Sequence, residues 1–334
     1  MIHPFTSIIP SGFASHALQS LRRVQQGVSP VELIYTAHEY WPFRPGHTVH
    51  TRPTLRIAVL DSSFNPPTLA HLALVNSPPP LSPQRSPATS ASAEPYDARI
   101  LLLSIRNADK ALKPGDATFV QRLEMMHPLS HDIRSSIDTA ESSGDSSQMS
   151  DNVAVAIIDE PTFVGKSTLL LRFLRTRLAT VVEFSNSPIS ILNRRDASYP
   201  FPSPKLTFLL GLDTLIRLFS PKYYPSEQVM LRMLRTFLAT NREDCRIVCA
   251  YRRGASADKT FQEPQDKTLE VAHEFLTSDR ITFIHIGIEE ETYSSSEVRA
   301  KIAAGDEKWK WLVTDAIASY IVDRGIYSGS EREQ

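Results

Sequence analysis

The sequence predicts a doubly wound α/β domain built on a mainly parallel sheet, and three observations predict it. Six short apolar runs recur: "RIAVLD" (56–61), "RILLLS" (99–104), "VAVAII" (153–158), "LTFLLG" (206–211), "RIVCAY" (246–251) and "ITFIHI" (281–286). They are nearly continuous rather than alternating, which is how strands covered on both faces read. Helical patterns lie between them, so the order is strand, helix, strand, helix, the arrangement that gives a parallel sheet with right-handed crossovers. The expectation is a Rossmann-like sheet of about six strands with helices on both faces.

Each element follows in order. Residues 1–52 read as an N-terminal extension with a helix, "HALQSLRRV" (16–24), whose apolar residues recur at helical spacing. The early serines, Arg22 and Arg23, with no acidic residue before Glu32, are also compatible with a mitochondrial presequence. A docked helix is the preferred reading, with a cytoplasmic or nuclear placement. Residues 53–328 form one domain. Its helices are expected at "LAHLALV" (69–75), "FVQRLEMMHPL" (119–129), "KSTLLLRFLRTRL" (166–178), "SEQVMLRMLRTFL" (226–238), "KTLEVAHEFL" (267–276), "SEVRAKIAA" (296–304) and "VTDAIASYIVDRG" (313–325). Residues 76–95 (Pro/Ser-rich) and 138–151 (Ser/Asp-rich) lack a composition suited to a core and read as disordered insertions, and 185–204 as a proline-rich loop. Residues 329–334 are a tail.

Composition limits the function. The 334 residues carry a formal net charge of -1, so no global field draws the chain to nucleic acid or to an acidic membrane, and any anion site must be local. No apolar run is long enough to span a membrane. Cys245 and Cys249 lie in one apolar run, share a face if it is a strand, and read as reduced core residues.

Two stretches carry chemistry. In "VLDSSFNPPTLAHLAL" (59–74) the first domain strand gives way to Ser62, Ser63, Phe64, Asn65 and two prolines before a helix begins near Thr68. Ligands of open parallel sheets bind beyond the carboxyl ends of the strands. Thr68 and His71 fall on one face of the first helical turn, where a hydroxyl and an imidazole can both donate to a phosphate. Thr68 as a plain N-cap and His71 as a core histidine is the competing reading, and for Thr68 taken alone it is the preferred one. In "YSSSEVRAKI" (293–302) a second helix opens after the sixth strand. Ser294 and Glu297 match a capping box, but Ser294, Ser295 and Ser296 exceed what one cap needs. Arg299 also lies in the first turns, where its charge opposes the helix dipole, a placement that makes sense beside a bound anion.

The pair of stretches resembles the nucleotidyltransferase superfamily with a (T/H)xGH signature after the first strand and an ISSTxxR signature near the C-terminus. Within it, the sequence is most similar to the nicotinamide/nicotinate mononucleotide adenylyltransferases, in a divergent fungal branch. "SSFNPPTLAH" stands for G-S-F-N-P-x-T-x-x-H, "YSSSEVR" for I-S-S-T-x-[IV]-R, and "GLD" (Gly211–Asp213) for G-x-D. The resemblance covers residues 56–327 and implies adenylyl transfer from ATP, with its Mg²⁺, to a pyridine mononucleotide. It implies catalytic roles for His71, Thr68 and Arg299. ATP would meet Ser63, Phe64, Asn65, Gly211, Asp213, Ser294, Ser295, Ser296 and Arg252. The mononucleotide would meet Lys110 or Lys113 through its phosphate, and Phe163 and Tyr224 through its ring, although a core role is an equal reading for each aromatic. Arg122 would support the site. No protein metal ligands are implied. Ser62 replaces the first glycine of the motif, and Ala70 stands where many relatives have Gly. Ser62 narrows the close backbone approach to nucleotide.

"FVGKST" (163–168) looks like the end of a P-loop, but Glu160 occupies the position of the leading glycine and would repel phosphate. Another nucleotidylyltransferase of the superfamily, or an ATP-binding protein with little transferase activity that works through partners, is the alternative reading.

Overall fold

The computed structural model describes residues 9–44, 53–80, 95–106, 115–133, 152–185, 202–253, 273–276 and 278–328. Seven strands form one sheet: β1 (Val31–Thr36), β2 (Thr54–Asp61), β3 (Ala98–Ser104), β4 (Val153–Ile158), β5 (Ser203–Gly211), β6 (Arg246–Ala250) and β7 (Ile281–Ile284). Their order is β1-β4-β3-β2-β5-β6-β7. All neighbours are parallel except β1, which runs antiparallel to β4. The helices are α1 (Phe13–Gln25), α2 (Leu69–Val75), α3 (Phe119–His131), α4 (Phe163–Ser185), α5 (Leu212–Leu218), α6 (Glu227–Leu238), α7 (Ser295–Ala303) and α8 (Asp315–Arg324).

The continuous apolar runs are explained by burial on both faces. Along β2, Ile57 and Val59 join one core with Leu170 and Leu174 of α4 and Met230 and Leu234 of α6. Ala58 and Leu60 join the other, with Ala17 of α1, Met126 of α3, Val298 of α7 and Ile317 of α8. A strand with no solvent face has no polar position to alternate with. Cys245 and Cys249 are free, buried and on one face, as expected; burial pushes the Cys249 thiol up to about 12. α3 and α8 are further tied by the Tyr320 hydroxyl, which donates to Glu124 Oε2 at 2.7 Å. Among the described residues no helix is long and apolar enough to cross a membrane.

Two elements escape the sequence pattern. β1 lies in the stretch set apart as an extension, and it belongs to the sheet, pairing Val31 with Ile158 and Leu33 with Ala156. It is short, carries an irregularity between Leu33 and Tyr35, and alternates only loosely, so its stability comes from a partner strand over a hundred residues away. α1 packs over it, burying Phe13, Ala17, Leu21 and Val24. α5 follows β5 without a break, punctuated only by Gly211. The expected helix at 267–276 lies mostly outside the described residues, as does the insertion expected at 76–95 except for residues 76–80 and 95, and the insertion expected at 138–151 lies wholly outside them.

The chain leaves β2 for β3 on one side, and β5, on the other side of β2, leads to β6. The two connections diverge there, opening a crevice at the carboxyl ends of β2 and β5. Because β1 covers the β4 edge and α1 covers β1, a chain beginning at residue 45 should lose both and expose a long apolar edge. It is expected to be insoluble or to melt without a cooperative transition. A soluble, cooperatively melting product, followed by circular dichroism, would show that residues 53–328 fold alone.

Candidate active site

The crevice at the switch point has a volume of about 900 Å³ and is bordered by the ends of β2, β3, β5 and β6, the start of α4 and the start of α7. That volume lies within the range of ordinary ligand clefts, near its upper end. Both motif stretches face it.

The chain turns out of β2 through Phe64, whose backbone is left-handed (φ 45°) and whose ring is fully buried and lies 5.4 Å from the His71 ring. A non-glycine residue in that region costs about 1–3 kcal/mol, and the buried ring holds it there. The ring therefore serves the core, and Phe64 can offer a nucleotide only its backbone. Thr68 is the N-cap of α2 and has no exposed surface. Its hydroxyl faces His71 Nδ1 at 2.9 Å, not the cleft. The expected direct role of Thr68 is corrected to a positioning one.

His71 is half-buried and lines the crevice. Its Nδ1 accepts the Thr68 backbone N–H at 3.0 Å. A backbone amide can only donate, so the neutral ring carries its proton on Nε2. Desolvation lowers the imidazole pKa from 6.5 to about 4, which keeps it neutral near pH 7. The result is a fixed Nε2–H donor at the cleft. In this structure Nε2 lies 2.8 Å from Ser62 Oγ, the side chain that replaces a glycine of the motif.

Asn65 sits at the centre of a network. Its Nδ2 donates to Asp116 Oδ1 at 2.7 Å. Its Oδ1 accepts from the Ala117 amide at 3.1 Å and the Tyr327 hydroxyl at 2.8 Å. All but one N–H of the side chain is taken up by the protein, so the chief role of Asn65 is that of a scaffold, with one donor left beside the crevice. Arg299 donates through Nη1 to the Asn65 carbonyl and lies 3.7 Å from Asp116. Ser295 Oγ donates to the Pro66 carbonyl at 2.7 Å. The start of α7 is thereby tied to the β2–α2 loop. Arg122 is buried, donates to Ala117 and Ser63 carbonyls at 2.9 and 3.4 Å and lies 3.8 Å from Asp116. Burial lowers its guanidinium pKa, against the pull of Asp116. Asp116, which the sequence reading passed over, offsets both cations. It also answers the misplaced charge of Arg299 from within the protein, before any ligand arrives.

The other expected residues divide. Ser294 caps α7, accepting the Glu297 amide at 3.1 Å, while Ser296 is exposed at the crevice. Gly211 caps α5 and opens to the crevice. Asp213 and Arg252 both reach the crevice but pair with each other. Phe163 and Tyr224 line it, half-buried, and the Tyr224 hydroxyl donates to the Leu218 carbonyl at 2.8 Å. Ser63 is exposed at its mouth. Lys110 and Lys113 lie outside the described residues, beyond Arg106, which closes β3 and pairs with Asp159. The P-loop look-alike is a helix start: Glu160 accepts the Thr162 amide and hydroxyl at 2.9 and 2.6 Å and lies so close to Gly165 that a Cβ there would meet it at 2.3 Å. Lys166, given little weight from sequence, does line the crevice.

No family model matches the chain. A protein of Schizosaccharomyces pombe (strain 972 / ATCC 24843) named "Putative nicotinamide mononucleotide adenylyltransferase" is 29% identical over 260 residues, 75% of this chain and 78% of its own. Two solved structures of the Plasmodium falciparum nicotinic acid mononucleotide adenylyltransferase, complexed with APC and with NaAD, are similar at a TM-score of 0.40 each. They are 12% and 14% identical and cover 82% of this chain and 97% of their own. Similarity of that degree carries no argument about activity.

The depressed pKa of His71 has a consequence for stability. The unfolded chain takes up a proton at this residue near pH 6.5, the folded one only near pH 4. Its contribution is therefore fully present above pH 6.5 and is lost as pH falls towards 4. His127, lowered to about 4 by burial, acts in the same sense. Urea midpoints should fall between pH 7 and pH 5, and His71→Gln should make that fall shallower. An unchanged slope would show that the His71 ring is solvated.

Proposed function

We propose that the chain transfers AMP from ATP to nicotinamide or nicotinate mononucleotide, giving the dinucleotide and pyrophosphate. The observation that carries this reading is the meeting of the two motif stretches: the Nε2–H of His71 and the guanidinium of Arg299 face one crevice at the carboxyl ends of β2 and β5. The S. pombe relative's name supports the same activity.

An oxygen of the mononucleotide 5′-phosphate bonds to the α-phosphorus of ATP, the bond from that phosphorus to the bridging oxygen breaks, and pyrophosphate leaves with the electron pair. No covalent enzyme intermediate is needed, so catalysis rests on positioning and on charge stabilisation. His71 donates from Nε2 to a phosphate oxygen where charge develops. Thr68 holds the ring in that tautomer. Arg299, with Ser296 beside it, takes the β- and γ-phosphates, loosening its hold on the Asn65 carbonyl. Gly211 leaves room for adenosine, Asp213 accepts from its ribose, and Arg252 turns from Asp213 to the triphosphate. Phe163 and Tyr224 border the pyridine ring, and Lys110 or Lys113 takes the mononucleotide phosphate. Mg²⁺ enters with ATP as part of the substrate, held by phosphate and water.

Incubation with ATP, Mg²⁺ and each mononucleotide should yield dinucleotide and pyrophosphate; absence of both products with all mononucleotides would refute the proposal. His71→Ala should lower kcat about 10²-fold, the scale of losing one preorganised donor, and near-normal turnover would reduce His71 to a packing residue. Ser62→Gly removes a competing partner of Nε2. It should raise kcat by roughly 2- to 10-fold, the worth of one neutral hydrogen bond. A fall in kcat would show instead that the Ser62 hydroxyl itself holds the ligand.

A further inference from the structure

A buried ion pair forms part of the crevice wall. Lys166 Nζ lies 2.5 Å from Asp61 Oδ2, and each side chain is only 6% exposed, yet both residues line the crevice. Asp61 is the last residue of β2, and Lys166 lies in the first turn of α4. A lysine there opposes the helix dipole. Two charges taken out of water together are weak contributors to stability, and apolar residues of the same volume commonly serve a core as well or better. The pair is thus costly at a place where a plain core would accept leucine.

Its surroundings indicate a use. The ammonium sits 4.9 Å from the centroid of Phe163. Phe163 lines the crevice, as do Pro161, Leu218 and Tyr224. A flat ring fits such a lining, and the pair offers it a matched donor and acceptor. An ammonium has three donors and a carboxylate about four acceptor sites, so the contact between them leaves capacity on both.

We propose that Asp61 and Lys166 read the ring substituent of the mononucleotide and select the uncharged carboxamide over the carboxylate. This rests on the proposed transfer to a pyridine mononucleotide. A carboxamide accepts from Lys166 through its oxygen and donates to Asp61 through its NH₂. A carboxylate has acceptors only. It meets Asp61 as a like charge, and the lysine that would attract it is already neutralised.

The test measures kcat/KM for nicotinamide and nicotinate mononucleotides, and the binding of each by calorimetry without ATP, in the wild type and two variants. The wild type should prefer the amide. Asp61→Asn frees the lysine charge and should move the ratio towards nicotinate by about tenfold or more, the scale of relieving one like-charge contact. Lys166→Gln leaves Asp61 unopposed and should move it the other way. A merely structural pair would not shift the ratio in opposite directions. If a single variant fails to fold, the double variant Asp61→Asn/Lys166→Gln keeps an uncharged, hydrogen-bonded pair and should discriminate weakly between the two. Dinucleotide formed at one unchanged ratio by all forms overturns this inference and leaves the activity standing. A wild type that binds ATP but neither mononucleotide overturns both.

Discussion

The hydrogen-bonded clasp around Asn65 is the constraint on which the site depends. It draws together four remote parts of the chain: the β2–α2 loop, the turn before α3 at Asp116 and Ala117, the start of α7 at Arg299, and Tyr327 beyond α8. Together with the bond from Ser295 to the Pro66 carbonyl, it fixes the helix carrying Arg299 against the loop that places His71. Every capacity of the Asn65 amide except one N–H is met inside the clasp. That explains why an asparagine stands there and why it keeps only a single N–H for a ligand. An aspartate in its place would face Asp116 as a like charge, and a leucine would leave Tyr327 and the Ala117 amide without partners.

The crevice of a nearly neutral chain is built from cations that are already answered. Arg299 and Arg122 face Asp116, Arg252 faces Asp213, and Lys166 faces Asp61. Such pairing lowers the cost of bringing charge out of water before a ligand is present. It also means that an anionic ligand binds by exchange, trading a protein carboxylate or carbonyl for a phosphate oxygen. His71 differs. It stays neutral through desolvation and presents a single proton, fixed in direction by the Thr68 amide. A donor of this kind needs no counter-charge and undergoes little reorganisation when charge develops on a phosphate.

Much of the site was legible in residues. His71, Arg299, the serines at 294–296, Gly211 and Asp213 all reach the crevice, because strand ends and helix starts have local signatures. The N-cap role of Thr68 was legible, but its hold on the His71 ring and the roles of Phe64 and Asn65 were not. A hydroxyl, a ring and an amide in a loop look the same whether they face a ligand or a neighbouring segment, and each here faces the protein. The sequence does not single out Asp116, and it marks Lys166 only as a helix start, because their partners lie 51 and 105 residues away. Lys166 was further disguised by a false phosphate motif, which the Glu160 carboxylate packed on Gly165 removes.

The sequence by itself determined the layered α/β architecture, since strands buried on both faces must be written as unbroken apolar runs and helices between them must show a 3.6-residue period. It also determined where the chemistry gathers, because chain direction places strand ends and helix starts on one side of a parallel sheet. Which side chains point into the crevice, which proton His71 carries, and whether a cation there is free or paired were settled only by packing. Those properties depend on contacts between segments far apart in the chain. β1 makes the same point for the fold: six residues with no strong pattern become a strand because β4 presents an open edge and α1 covers the other face.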